Sequence, residues 1–155
     1  MSSVQTFSAN FTPGAAVNVA AELAAVAGHA FDVISLEISQ ETTTTSGVWA
    51  ATIGYSTAAA TVWTTSTITL KDAEDMTNNT ANTTGKAYSS GTSTDGTGAT
   101  VRRRTGLNSL GTPYLWIPQE LERLKVASGH FLFVKFVVAP PASVAFNINI
   151  AILEH

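Results

Sequence analysis

Val144-Ala145-Phe146-Asn147-Ile148-Asn149-Ile150-Ala151-Ile152 is the stretch that decides the fold. Its large apolar side chains, at 144, 146, 148, 150 and 152, alternate with alanine and asparagine. A period of two sorts them onto opposite faces of a strand, which no helix does. Burying each large side chain is worth about 1.5–3 kcal/mol of transfer free energy. The stripe therefore supplies on the order of 8–15 kcal/mol gross, before chain entropy is subtracted. Such a strand needs an apolar layer to face, and the remainder of the chain can be searched for one.

Upstream, Phe131 to Val138 is apolar on both faces, with Lys135 its single charge. A strand of that kind is either central in a sandwich or covered on its outer side by another chain. Pro140-Pro141 makes a stiff connection between the two strands. Tyr114 to Ile117 is an aromatic-rich run stopped by Pro118. Pro118 fits the first position of a short helix near 118–125, with Glu120 favourable in its first turn and Leu121 and Leu124 packing at i, i+3. Gly129 closes that segment.

The first half repeats the period of two. Phe7, Ala9 and Phe11 form an inward set ended by Thr12-Pro13-Gly14. Ile34, Leu36 and Ile38 form the next, followed by a turn over 42–47, and then Trp49, Ala51, Ile53 and Tyr55. Another strand runs from Thr61 to Leu70, with Ile68 and Leu70 inward. Between Ala15 and Ala27 two patterns compete: Val19, Leu23 and Val26 fit a helical stripe, while Val17, Val19, Ala21, Leu23 and Ala25 keep period two. The flanking strands favour strand. About eight strands with no convincing helix between them predict one all-β domain over 1–155, an antiparallel β-sandwich of jelly-roll type. Residues 71–100 break the rhythm, being rich in Thr, Asn, Gly and Ser. A stretch of that length without regular structure is either a surface loop or an arm across a neighbouring subunit, and the arm is the sharper expectation.

Composition bounds the function. The hydrophobic fraction of 45% is ordinary, but the charged fraction of 12% is about half the usual ~25%. Either part of the surface is covered by copies of the chain or by a partner, or this is a plain Thr/Ser-coated β domain. A net charge of −3 gives no electrostatic drive toward nucleic acid or an anionic membrane. The absence of cysteine removes disulfides, thiolate metal sites and thiol nucleophiles. Residues 1–4 lack the basic region and apolar run of a secretion signal, so synthesis in the cytoplasm is expected.

No catalytic or cofactor constellation emerges. His29, His130 and His155 have no metal-ligand spacing, and His29 and His130 read as turn residues beside Gly28 and Gly129. Asp72, Glu74 and Asp75, and again Glu120 and Glu122, read as solvated turn carboxylates, a cation bridging subunits through Asp72 or Asp75 being the sharper alternative. Gly91 to Gly98 lacks the Gly-Lys-Ser/Thr of a phosphate loop, and no G-x-S-x-G elbow is present. Arg102-Arg103-Arg104 is the one notable charge cluster. In a regular strand these splay to alternate faces, so Arg102 and Arg104 share a face, where they either pair with carboxylates, across a subunit boundary in the sharper case, or serve solubility alone. Asn147 and Asn149 lie on the outward face of the strongest strand, where asparagine is disfavoured. With Ala145 and Ala151 they suggest close approach at a symmetry axis. Asn147, Asn149, Arg102, Arg104 and Lys135 are thus the candidate oligomer or capsid contacts.

Several stretches together resemble the small jelly-roll virion proteins of tailed bacteriophages, some of which are capsid decoration or cement proteins. One is Phe11-Thr12-Pro13 followed by the strand from Phe31 to Gln40. Another is Thr105-Gly106-Leu107-Asn108 leading to Leu115-Trp116-Ile117-Pro118 and Glu120. The last runs from the apolar strand through Ala139-Pro140-Pro141-Ala142 to Leu153-Glu154. The resemblance implies a non-enzymatic structural protein without cofactor. It would form a homo-oligomer, a trimer, on the capsid surface of the virion, bridging capsomers of the major capsid protein through several modest contacts. Neither nucleic acid nor membrane would be a partner. The main alternative is a carbohydrate-binding or host-attachment jelly roll using Trp49, Trp63, Tyr114 and Trp116. A genome-packaging shell protein would carry a basic N-terminal arm, which residues 1–20 lack, and a cupin-type enzyme would need metal ligands that are missing here.

Overall fold

The C-terminal alternation is realised in full. In the computed structural model, which describes residues 3–13, 19–41, 48–72, 83–108, 113–138 and 144–155, Phe146, Ile148, Ile150 and Ile152 are at most 1% exposed. They belong to β12 (Phe146–Glu154), which pairs antiparallel with β1 (Ser3–Phe11) on one side and β3 (Phe31–Gln40) on the other. Beyond β3 that sheet is finished by β9 (Tyr114–Trp116) and β10 (Lys125–Val126), and beyond β1 by β6 (Lys71–Asp72). The second sheet runs β5 (Thr61–Ile68), β7 (Thr84–Thr94), β2 (Val19–Ala24), β11 (Phe131–Val138), β4 (Val48–Ser56), β8 (Thr100–Asn108).

This order is a jelly roll. The first and last strands are neighbours, followed by β3 and then the β9–β10 edge, and β2, β11, β4 and β8 face them in the same sense. Three strands, β5 to β7, are inserted between β4 and β8. The paired strands β4·β8 and β5·β7 form one long antiparallel ribbon, bent at 57–60 and 95–99, whose halves occupy opposite edges of the second sheet. Thr57 N donates to Thr97 O at 2.9 Å across the bend. Between the sheets, Trp49 meets Phe136 and Phe146 edge-on at 5.4 and 5.1 Å. Such edge-to-face pairs add about 0.5–1.5 kcal/mol to what burial already supplies.

Several expectations are met and others corrected. Residues 19–24 are a strand, with Val19 to Leu23 all buried. Both faces are covered, which erases the alternation a half-exposed strand would show. The doubly apolar β11 is central, between β2 and β4, and its outward Phe133 packs with Val19, Ala60 and Trp63. The cover on that side comes from the chain itself. Ile34 is only half-buried, because a bulge opposite Ala151 and Ile152 puts Val33 at the inward position instead.

The expected loop or arm over 71–100 is not a loop at 84–94. There the chain forms β7, paired on both sides, by β5 and β2. Small residues are what that place demands: a Cβ on Gly85 would fall 2.6 Å from the Phe7 ring. The helix near 118–125 is a single 3-10 turn, Glu120–Glu122, closed by Glu122 N donating to Gln119 O at 2.8 Å. One turn cannot stack an i, i+3 pair, so Leu124 is buried while Leu121 is 99% exposed. The turn at 42–47, the Pro140-Pro141 connection and the carboxylates Glu74 and Asp75 lie outside the described residues.

Candidate functional site

A jelly roll has two sides where its sheets part, and here the side bounded by β8 and β9–β10 holds a cleft of about 350 Å³. Its lining comes from three places: Arg102 and Arg103 on β8, Trp116 on β9, and Glu122 to Lys125 at the 3-10 turn and β10. Four cations therefore face one carboxylate, Glu122, in a chain whose net charge is −3.

Consecutive residues of a regular strand cannot both line one cleft. The register opposite β4 explains how they do: Ile53 pairs with Arg103 and Gly54 with Val101, leaving Arg102 as the extra residue of a bulge. A bulge bends its strand and re-aims a side chain. Arg102 thereby donates to Tyr55 Oη at 3.2 Å and lies 5.2 Å from that ring's centre. Arg103 Nε donates to Tyr114 Oη at 2.9 Å, and its guanidinium sits 5.0 Å over Trp116. Gly54 is what makes the distortion possible, since a Cβ there would collide with the Thr100 carbonyl oxygen and lie 2.8 Å from the Phe133 ring.

The expected pairing of Arg102 and Arg104 on one face is thus overturned. Arg102 shares the cleft with Arg103, and Arg104, one residue before the buried Thr105, turns the other way. Among the described residues neither Arg102 nor Arg104 makes an ion pair; the partners of Arg102 and Arg103 are neutral phenols and ring faces. Two donors on lining residues, Trp116 Nε1 and Arg123 Nε, are buried with no acceptor. A buried donor left without an acceptor costs about 1–3 kcal/mol, so both mark polar strain behind the cleft wall.

The remaining candidates are placed elsewhere. Asn147 and Asn149 lie on the open face of the first sheet and pair within the chain. Asn147 Oδ1 accepts from Asn10 Nδ2 at 3.1 Å, and Asn149 Oδ1 from Ser8 Oγ at 2.7 Å. A cross-strand polar ladder is reason enough for asparagine there. Lys135 reaches both Asp95 carboxylate oxygens at 2.7 Å, tying β11 to the bend of the ribbon. Close by, Glu22 is 2% exposed and accepts from Ala60 N at 2.7 Å. Burial pushes its carboxyl above the ordinary range, against the opposing pull of the Ala60 N–H and of Lys86.

His29 and His130 follow the tight turns at Gly28 and Gly129, and His130 stacks on Tyr55. Of the aromatics considered for sugar binding, Trp49 and Trp116 are buried, and Trp63 and Tyr114 are half-buried and hydrogen-bonded. Among the described residues no three His, Asp or Glu side chains converge.

Arg123 and Lys125 carry no local pattern that sequence reading could recognise. The usable signals were Gly54 inside a strand, which marks a bulge, and the aromatic run around Trp116. Comparison with family models, with curated proteins and with solved structures finds no match to this chain.

Proposed function

We propose that this chain is a structural virion protein, a decoration or cement protein that assembles as a homo-oligomer, a trimer, on the head of a tailed phage. In this reading it carries no catalysis and needs no cofactor, and it stabilises the shell by bridging capsomers of the major capsid protein. The observation that carries the proposal is an apolar edge. Leu115, Ile117 and Leu121 are 58%, 68% and 99% exposed within one short segment, Leu115 over the outer face of the first sheet beside Ser8, Glu37 and Asn149. Single exposed apolar side chains are ordinary, but three in one short segment make an apolar edge of the kind a partner covers. The low charged fraction, 12%, supports the same reading.

The test is light scattering on the purified chain, then co-sedimentation with phage heads stripped of their decoration. A trimer that pellets with heads, and raises the temperature at which they rupture, is the expected result. A monomer that stays in the supernatant removes the proposal.

A further inference from the structure

We infer that the cleft between β8 and β9–β10 is a carboxylate-binding site whose ligand is an acidic peptide segment presented by a partner chain. The inference deepens the shell reading by stating the chemistry of the partner's contact. Its test runs on the isolated chain, so either can fail alone.

Charge comes first. Arg102, Arg103, Arg123 and Lys125 gather around a cleft with only Glu122 opposing them, and among the described residues no ion pair links Glu122 to any of the four. Arg102 and Arg103 are positioned without being neutralised, since Tyr55 and Tyr114 contribute uncharged oxygens and ring faces. A guanidinium fixed in this way presents its remaining N–H groups as a fork matched to a carboxylate.

Two features select a peptide over a free anion or a polyanion. Glu122 on the wall penalises each further negative charge, which weighs against the densely charged backbone of a nucleic acid and favours separated single charges. A cleft of about 350 Å³ is also larger than one oxyanion fills.

The experiment is an NMR titration of the 15N-labelled chain, following the Trp116 indole N–H, assigned by Trp116→Phe. The probes are an acetylated peptide Leu-Glu-Glu-Ile-Glu-Leu, its all-Gln counterpart, inorganic phosphate and octathymidylate. The acidic peptide should shift that resonance saturably, and its affinity should fall about tenfold from low to high salt. R102A/R103A and, separately, R123Q should each weaken it about tenfold or more, in variants whose thermal midpoints confirm that they fold. Equal binding of the all-Gln peptide overturns the inference. So does binding of phosphate or octathymidylate in preference to the acidic peptide, or an indole resonance that does not move. Peptide binding in a chain that ignores heads would sink the shell reading and leave this one standing.

Discussion

Glu22 shows how a single residue can be set against its surroundings. It lies on β2, covered by the bend of the ribbon, and its raised carboxyl is the signature of an acid that folding prefers neutral. The sign follows by linkage. Because the folded value exceeds the unfolded one, the stabilising contribution is present below the ordinary carboxylate range and is lost as pH rises through the folded value. Above the folded value the carboxylate is a buried charge, and there it is a liability. Glu22→Gln keeps an acceptor for Ala60 N and removes the charge, so it should raise the urea midpoint at pH 7, with the advantage shrinking as pH falls toward 4.5. Equilibrium unfolding of both proteins at several pH values measures it; a gap that widens on acidification would contradict the assignment. Nothing around position 22 announces burial, because Ala-rich neighbours fit helix and strand alike. Asn147 and Asn149, by contrast, were placed outward by alternation alone, although the reason for them was a cross-strand ladder, one strand away in space.

At the scale of elements, the consequential feature is the bulge in β8. A regular strand would send Arg102 and Arg103 to opposite faces; one extra residue opposite Gly54 brings both to the cleft. Gly54→Ala would drive a methyl group into the Thr100 carbonyl and the Phe133 ring. Overpacking of this kind costs about 1–3 kcal/mol. The expected outcome is a lowered melting temperature together with loss of the chemical-shift signature of the Arg103–Tyr114 contact, read by NMR. A variant as stable as the parent with that contact intact would show that the bulge does not depend on this glycine. The same lesson runs through β7. Its Thr, Ser and Gly residues look like a loop when read alone, yet β2 and β5 supply ladders on both sides and Phe7 requires the small residue. Strand identity here is conferred by neighbours more than by intrinsic preference.

For the whole molecule, the cleft opens between β8 and β9–β10, and the exposed apolar edge lies on the segment from β9 to the 3-10 turn. If that edge is the self-association surface, replacing Leu115, Ile117 and Leu121 together by Lys should leave the melting temperature nearly unchanged, since all three are exposed, while light scattering reports monomer. A variant that unfolds, or one that keeps the parent's oligomeric mass, would locate the contact elsewhere. The sandwich itself was legible from residue order. Alternation along β1, β4 and β12 is a local property, and a period of two fixes which side chain faces the core whatever the strand pairs with. Among the described residues, the strands beyond about eight come from an inserted ribbon and an edge strand split by a 3-10 turn, details that period two does not encode. The cleft was decided by tertiary structure alone. Its lining all comes from residues 102–125, yet these short elements belong to different sheets; they face one another only because the jelly-roll path makes β8 and β9–β10 the facing edges of two sheets, with a bulge, set by pairing register, turning Arg102 toward them.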